Sequence, residues 1–221
     1  MKSLILFILS MYCTTAAIHA QYSGIRCGDV IDIKGVKALV FSVDNSGEHG
    51  IAMAVKCLRG ENALLCTKGK YLNKMPLTLD ENDGQLNTQA VFDFIKRNKL
   101  PLHLFPVHNW CSQLGEGWYI PSLNELKKFV NFWLGNEVVL EWDDDTEQVL
   151  DNSKPFWKQM NTKLLEAGGI PFLNGVYTST NTKDGCIYVF NFNKQKYTWK
   201  FNQIYRINQS KYFTARAIYK F

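Results

Sequence analysis

The chain has 221 residues, of which 46% are apolar and 20% charged. This balance excludes a disordered chain and suits one large domain with its own core. The formal net charge is +5 and the cysteines number six, too few to hold a fold together by disulfides alone.

Residues 1–20 differ from the rest. Met1-Lys2 is a short positive start, Leu4 to Tyr12 is an apolar run of roughly ten residues, and Thr14 to Ala20 is rich in small residues. The pattern predicts a secretory signal peptide cleaved after Ala20, because the run falls well short of the roughly 20 apolar residues that a bilayer-spanning helix needs. Ser10-Met11-Tyr12 ahead of Cys13 lacks the Leu-small-small pattern of a lipoprotein signal. The expected mature protein, residues 21–221, is a single domain that does not span a membrane, located in the periplasm, at the cell surface or secreted. Export argues against a nucleic-acid partner. Cleavage leaves Cys27, Cys57, Cys66, Cys111 and Cys186, so at least one thiol is free or bonded to another chain. Cys57 and Cys66 bracket the turn-like stretch Leu58 to Asn62 and are the one pair expected to bond.

Val30 to Ile33, a turn at Lys34-Gly35, the apolar run Val36 to Val43, a turn at Asp44 to Gly47 and the run Gly50 to Val55 predict an antiparallel meander. A polar loop from Leu77 to Gly84 leads to a helix capped by Asn87 or Thr88, with Ala90, Val91, Phe94 and Ile95 on one face and Pro101 at its end. A shorter helix carries Trp110, Cys111 and Leu114 towards Gly115. Trp118-Tyr119-Ile120 is a short buried-strand signal that Pro121 stops. Ser122 and Glu125 then form a capping box, each satisfying a free backbone N–H, and Leu123, Leu126, Phe129, Val130 and Trp133 share one helix face.

Gly135 to Ser153 is read as a long loop with an acidic centre from Glu141 to Glu147. Pro155 stands at the first position of another helix, lined by Phe156, Met160 and Leu164 and stopped at Gly168-Gly169. Everything beyond is expected to be sheet: Tyr177 to Thr180, a turn at Asp184-Gly185, Cys186 to Phe192, the alternating run Lys196 to Phe201, and Phe213 to Phe221. From Cys186 onward there are seven Lys or Arg and no Asp or Glu, which gives this last sheet a basic face.

Three ordered segments carry a family resemblance: Gly117-Trp118-Tyr119-Ile120-Pro121-Ser122 with Glu125-Leu126, then Tyr177-Thr178-Ser179-Thr180, then Ala215-Arg216-Ala217-Ile218-Tyr219-Lys220-Phe221. Together they resemble the bacterial C-type-lectin-like domain often called a major paralogous domain, common in exported proteins of gut bacteria. The run Gly35 to Asp44 before Gly47-Glu48-His49-Gly50, and the segment Asp83 to Thr88, are similar to that family as well. The resemblance implies an α+β, C-type-lectin-like fold of antiparallel sheets with two main helices plus additional short helices, the N- and C-terminal strands paired. It also implies that Leu123, Leu126, Phe129 and Trp133 pack on the terminal sheet with Cys186 to Phe192 central. It assigns no chemistry, because the fold hosts binding modules, adhesins, variable receptors and the formylglycine-generating oxidase. The Glu-Pro-Asn, Gln-Pro-Asp and Trp-Asn-Asp tripeptides of calcium-dependent sugar sites do not occur here, nor does a reactive cysteine pair late in the domain. Thr178 stands where relatives place Trp.

His103, His108 and Cys111 lie close in sequence, as a zinc site or a nucleophilic pair requires. Pro106 interrupts their spacing and no acid nearby orients them, so they are read as structural. Asp143, Asp144 and Asp145 with Glu141 and Glu147 lack the alternating spacing of a calcium loop and are read as solvated, while Trp142 offers a flat apolar surface. Lys194, Lys196, Lys200, Arg206 and Lys211 interleaved with Tyr197, Trp199 and Tyr205 are a combination that can bind nucleic acid or anionic polysaccharide, but are read first as one buried aromatic face and one solvated basic face. No metal, cofactor or catalysis is expected. The expected function is an exported, non-catalytic binding module for a glycan or protein at the cell envelope. A subunit of a surface adhesin or assembly, and an enzyme related to the formylglycine-generating oxidase, are the alternatives. Gly135 to Ser153, Asn181 to Gly185 and Asn202 to Lys211 are expected to cluster opposite the paired ends. The expected ligand side is therefore Trp142, Asp143, Asp144, Asp145, Asn181, Asp184, Tyr205 and Arg206.

Overall fold

The computed structural model describes residues 24–133, 155–172, 175–181, 183, 187–191 and 213–221. Among them are eight strands, β1 (Val30–Ile33), β2 (Val36–Val43), β3 (Gly50–Ala54), β4 (Leu58–Arg59), β5 (Gly175–Asn181), β6 (Ile187–Asn191), β7 (Phe213–Ala215) and β8 (Ile218–Lys220). Five α-helices accompany them: α1 (Gly69–Leu72), α2 (Gly84–Arg97), α3 (Pro106–Gln113), α4 (Leu123–Trp133) and α5 (Pro155–Glu166). The chain is therefore a mixed α+β protein, with two four-stranded sheets among the described residues. None of its described helices is long and apolar enough to cross a membrane.

The expected meander is present. Lys34 and Gly35 both have positive φ, 53° and 86°, the pair that a two-residue hairpin turn requires, and the Asp32 carboxylate accepts the Gly35 N–H at 2.7 Å. The first sheet has the antiparallel order β1-β2-β3-β8. Both chain ends thus enter one sheet, but they do not pair as expected. Short turns give β2 its two neighbours locally, and the C-terminal strand takes the remaining edge of β3, where Gly50 and Ala54 N–H donate to the Phe221 and Ala217 carbonyls at 2.9 Å each.

The second sheet has the order β4-β7-β5-β6, with β5 and β7 parallel and the other pairs antiparallel. Two more expectations change here. The final run is not one strand: it breaks at Arg216-Ala217, β7 belonging to the second sheet and β8 to the first. The Cys186 to Phe192 strand is not central either, since β6 stands at one end of this sheet among the described residues.

Both faces of the first sheet are covered, which explains the four consecutive apolar residues Ala38 to Phe41 at the centre of β2, all buried. Leu39, Phe41, Met53 and Val55 pack with Leu126, Phe129 and Trp133 of α4 and with Met160 and Leu164 of α5. On the opposite face the smaller Ala38, Val40, Ala52 and Ala54 meet Val107, Cys111, Trp118, Ile120 and, from the second sheet, Tyr177 and Val189. Large residues face helices and small ones face the other sheet, so the two layers approach closely. Leu123, Leu126, Phe129 and Trp133 are all buried as expected, and Gly168-Gly169 ends α5 through N–H bonds to the Leu165 and Leu164 carbonyls.

Two local expectations are corrected. Helix α2 begins at Gly84, capped by Asp83, whose carboxylate accepts the Leu86 N–H at 2.9 Å; Asn87 and Thr88 lie inside the helix and bond across to other segments. Cys57 and Cys66 are not joined. A 3-10 turn at Gly60–Asn62 replaces the hairpin between them, β4 pairs with β7, and the Cys66 thiol donates to the Lys68 carbonyl at 3.4 Å among Val91, Phe94 and Phe105.

Candidate functional site

The start of α4 is the anchor from which the site is built. Ser122 N–H donates to Glu125 Oε2 at 2.9 Å and Glu125 N–H to Ser122 Oγ at 3.3 Å, the reciprocal bonds of a capping box. Glu125 is only 3% exposed. It also accepts the Gly84 N–H at 3.0 Å and the Tyr119 hydroxyl at 2.9 Å, and pairs with Lys220 Nζ at 3.0 Å. Burial first, and then the neighbouring carboxylate, pushes the Tyr119 phenol well above its ordinary pKa, so it remains a donor. A Cβ at Gly84 would lie 2.4 Å from the Ile120 carbonyl and 2.5 Å from Ser122 N; only glycine lets α2 begin against this turn.

Strand β5 is fastened to the same anchor. Thr180 Oγ1 accepts the Leu123 N–H at 3.0 Å and donates to the Asp80 carbonyl at 2.9 Å, while Ser179 N–H donates to the Pro121 carbonyl at 2.7 Å. Thr178 is fully buried and donates to the Tyr188 carbonyl at 3.0 Å. Thr78 then ties the loop before α2 to the end of β5: its N–H donates to Asn181 Oδ1 at 3.1 Å, and its hydroxyl lies 2.6 Å from both Asn181 Oδ1 and the Ser179 carbonyl.

Beyond this fastening lies a cavity of about 130 Å³ between the segment 64–78, α2, α3 and β5. Leu64, Leu65, Leu72, Met75, Val91 and Ile187 give it an apolar lining, and Thr78, Asn87, Thr178, Ser179 and Asn181 form a polar wall. Asn73 and Leu77 line its mouth and are exposed, Leu77 by 55%. His108 contributes from α3. It is 5% exposed, its ring meets Phe92 edge-on with centroids 5.7 Å apart, and Nδ1 has no hydrogen-bond partner among the described residues. Burial pushes its pKa down to about 4, so the imidazole is neutral at physiological pH.

Cys66 also lines the cavity, and burial pushes its thiol up. Cys111, three residues after His108, donates its thiol to the Trp118 carbonyl at 3.3 Å, and burial raises its pKa to about 12. His103 is exposed on a separate 3-10 turn. No group of three His, Cys, Asp or Glu that could hold a metal occurs among the described residues. Arg216 is 1% exposed, lies 3.9 Å from the centroid of the Phe172 ring and donates to the Val55 and Ile170 carbonyls. Burial pushes its pKa down to about 10; it serves the crossing between sheets rather than the cavity.

Of the expected ligand-side residues, Asn181 is the one described: it is half-buried at the end of β5, not in a loop, and it lines the cavity. Trp142, Asp143, Asp144, Asp145, Asp184, Tyr205 and Arg206 lie outside the described residues, as do Cys186 and the basic run from Lys194 to Lys211. Sequence reasoning missed the cavity. Its walls come from six separated stretches of chain, and the nearest signal was the polar Asn87 beside an apolar helix face, which was read as a cap. No protein-family model matches this chain, and comparison with curated proteins and with solved structures returns no match.

Proposed function

We propose that this chain is a C-type-lectin-like, non-catalytic binding module, exported to the cell envelope, where it recognises a protein or glycan by admitting one group of that ligand into the cavity beside Asn181. The observation that carries this reading is the cavity itself, an opening of about 130 Å³ between the segment 64–78, α2, α3 and β5. Pockets that are mostly apolar with a few convergent polar groups are the usual form of a recognition site. The neighbouring titratable groups favour binding over proton transfer: His108 is neutral and faces Phe92, and the Cys66 thiol bonds a backbone carbonyl. Support for the lectin-like reading comes from the three ordered signatures and from the entry of both chain ends into one sheet.

A glycan array and a pull-down from envelope fractions test the proposal, run with the wild-type protein and with Val91→Phe, which fills the cavity from α2. The expected outcome is a ligand that wild type retains and Val91→Phe binds at least tenfold more weakly, at the cost of no more than about 3 kcal/mol of stability. Equal retention by a folded Val91→Phe would remove the cavity from the binding site.

A further inference from the structure

We propose that the cavity beside Asn181 receives a phenol-type group, a single uncharged six-membered ring bearing one hydroxyl, supplied either as a free phenol or as a tyrosine side chain of a protein ligand. This rests on the reading of the cavity as the recognition site and names what enters it.

Size sets the first limit. A volume of about 130 Å³ is close to the roughly 150 Å³ that accommodates a benzene ring in an engineered protein cavity. Charge sets the second, because no Lys, Arg, Asp or Glu lines the cavity and an ion placed there would have no counter-charge. Hydrogen bonding sets the third. The polar wall is already bonded within the fold: Asn87 Nδ2 donates to the Asp80 carbonyl at 2.6 Å, Thr178 to the Tyr188 carbonyl at 3.0 Å, Ser179 Oγ to the Pro121 carbonyl at 3.2 Å, and the Thr78 hydroxyl lies 2.6 Å from two acceptors. His108 is the lining residue whose imidazole is not fully bonded within the fold: its buried Nδ1 has no partner among the described residues. A neutral imidazole nitrogen either donates or accepts, and a hydroxyl answers both tautomers. A sugar ring would bring several hydroxyls to a wall whose Asn87, Thr178, Ser179 and Thr78 side chains are already bonded within the fold, leaving most of them poorly paired. An apolar ring would leave Nδ1 as it is.

The test follows the imidazole nitrogens of His108 by NMR in the purified full-length protein while p-cresol, toluene, methyl glucoside or N-acetyl-tyrosine-N-methylamide is added. Expected are saturable binding of p-cresol with a shift of the His108 Nδ1 resonance, toluene binding about tenfold weaker, and no binding of methyl glucoside. His108→Leu should bring p-cresol down to the toluene level. Binding of the tyrosine amide together with p-cresol assigns the site to a protein side chain, and binding of p-cresol alone assigns it to free phenols. Equal affinity for p-cresol and toluene, or an unchanged p-cresol affinity in folded His108→Leu, would overturn the phenol class while leaving the cavity as a binding site. Preferred binding of methyl glucoside would turn the assignment to a glycan, and failure of all four probes would remove the binding site itself.

Discussion

Glu125 shows how much of this fold one side chain organises. Its carboxylate closes the cap of α4, holds Gly84 at the start of α2, takes the Tyr119 hydroxyl and meets Lys220 from the last strand. Removing it leaves buried donors without partners, each a desolvation loss of about 1–3 kcal/mol. Glu125→Ala should therefore lower the unfolding free energy by about 3–5 kcal/mol in urea titrations. Lys220 is 44% exposed at its side chain, so Lys220→Ala should cost under about 1 kcal/mol. Equal losses for the two variants would mean that the ion pair, not the backbone donors, gives Glu125 its weight.

His108 is the second informative residue, and its effect depends on pH. Its folded pKa of about 4 lies below the unfolded value of roughly 6.5, so the unfolded chain binds the proton first as pH falls. The neutral buried ring therefore costs nothing at pH 7 and loses stability progressively from about pH 6.5 down to pH 4, where the loss reaches about 3 kcal/mol. Wild type should lose this much more stability than His108→Leu over that range. A parallel decline in both proteins would show that His108 is protonated, or reached by water, in the folded state.

At the scale of elements, what was legible in the sequence is what local chemistry decides. Lys34-Gly35 specifies a hairpin turn, Ser122 with Glu125 a helix start, and Pro155 with Gly168-Gly169 the two ends of α5, and each stands where it was expected. What was not legible depended on distant partners. The start of α2 was misplaced because Asp83, rather than Asn87 or Thr88, is the cap; Asn87 and Thr88 instead bond Asp80 and Ile120, the latter 32 positions away. The last strand was not seen to break because Arg216, polar in the sequence, is buried between the sheets by backbone carbonyls and Phe172. Gly84 joins the local and the distant. Gly84→Ala would set a Cβ against backbone atoms that cannot yield, and the loss should be at least about 2 kcal/mol, read as a lower urea midpoint. Ala tolerated at full stability would mean that the contact between α2 and the α4 cap is loose.

At the scale of the whole molecule, the two sheets share one core face while α4 and α5 seal the other, and the cavity opens where the segment 64–78, α2, α3 and β5 meet without filling the space between them. Asn181 was read as the start of a loop, whereas it ends β5 and lines the cavity. Thr78, Asn87 and His108 were not legible as its neighbours, because nothing local links positions separated by up to about a hundred residues. The most direct measurement is methyl NMR of the protein with the ligand identified by the array or pull-down. Methyl resonances of Leu64, Leu65, Leu72, Val91 and Ile187, which line the cavity, are predicted to move, while those of Leu165 and Val30, exposed elsewhere, stay still. Ligand-induced shifts that leave the five cavity residues unmoved would contradict the assignment of the binding site.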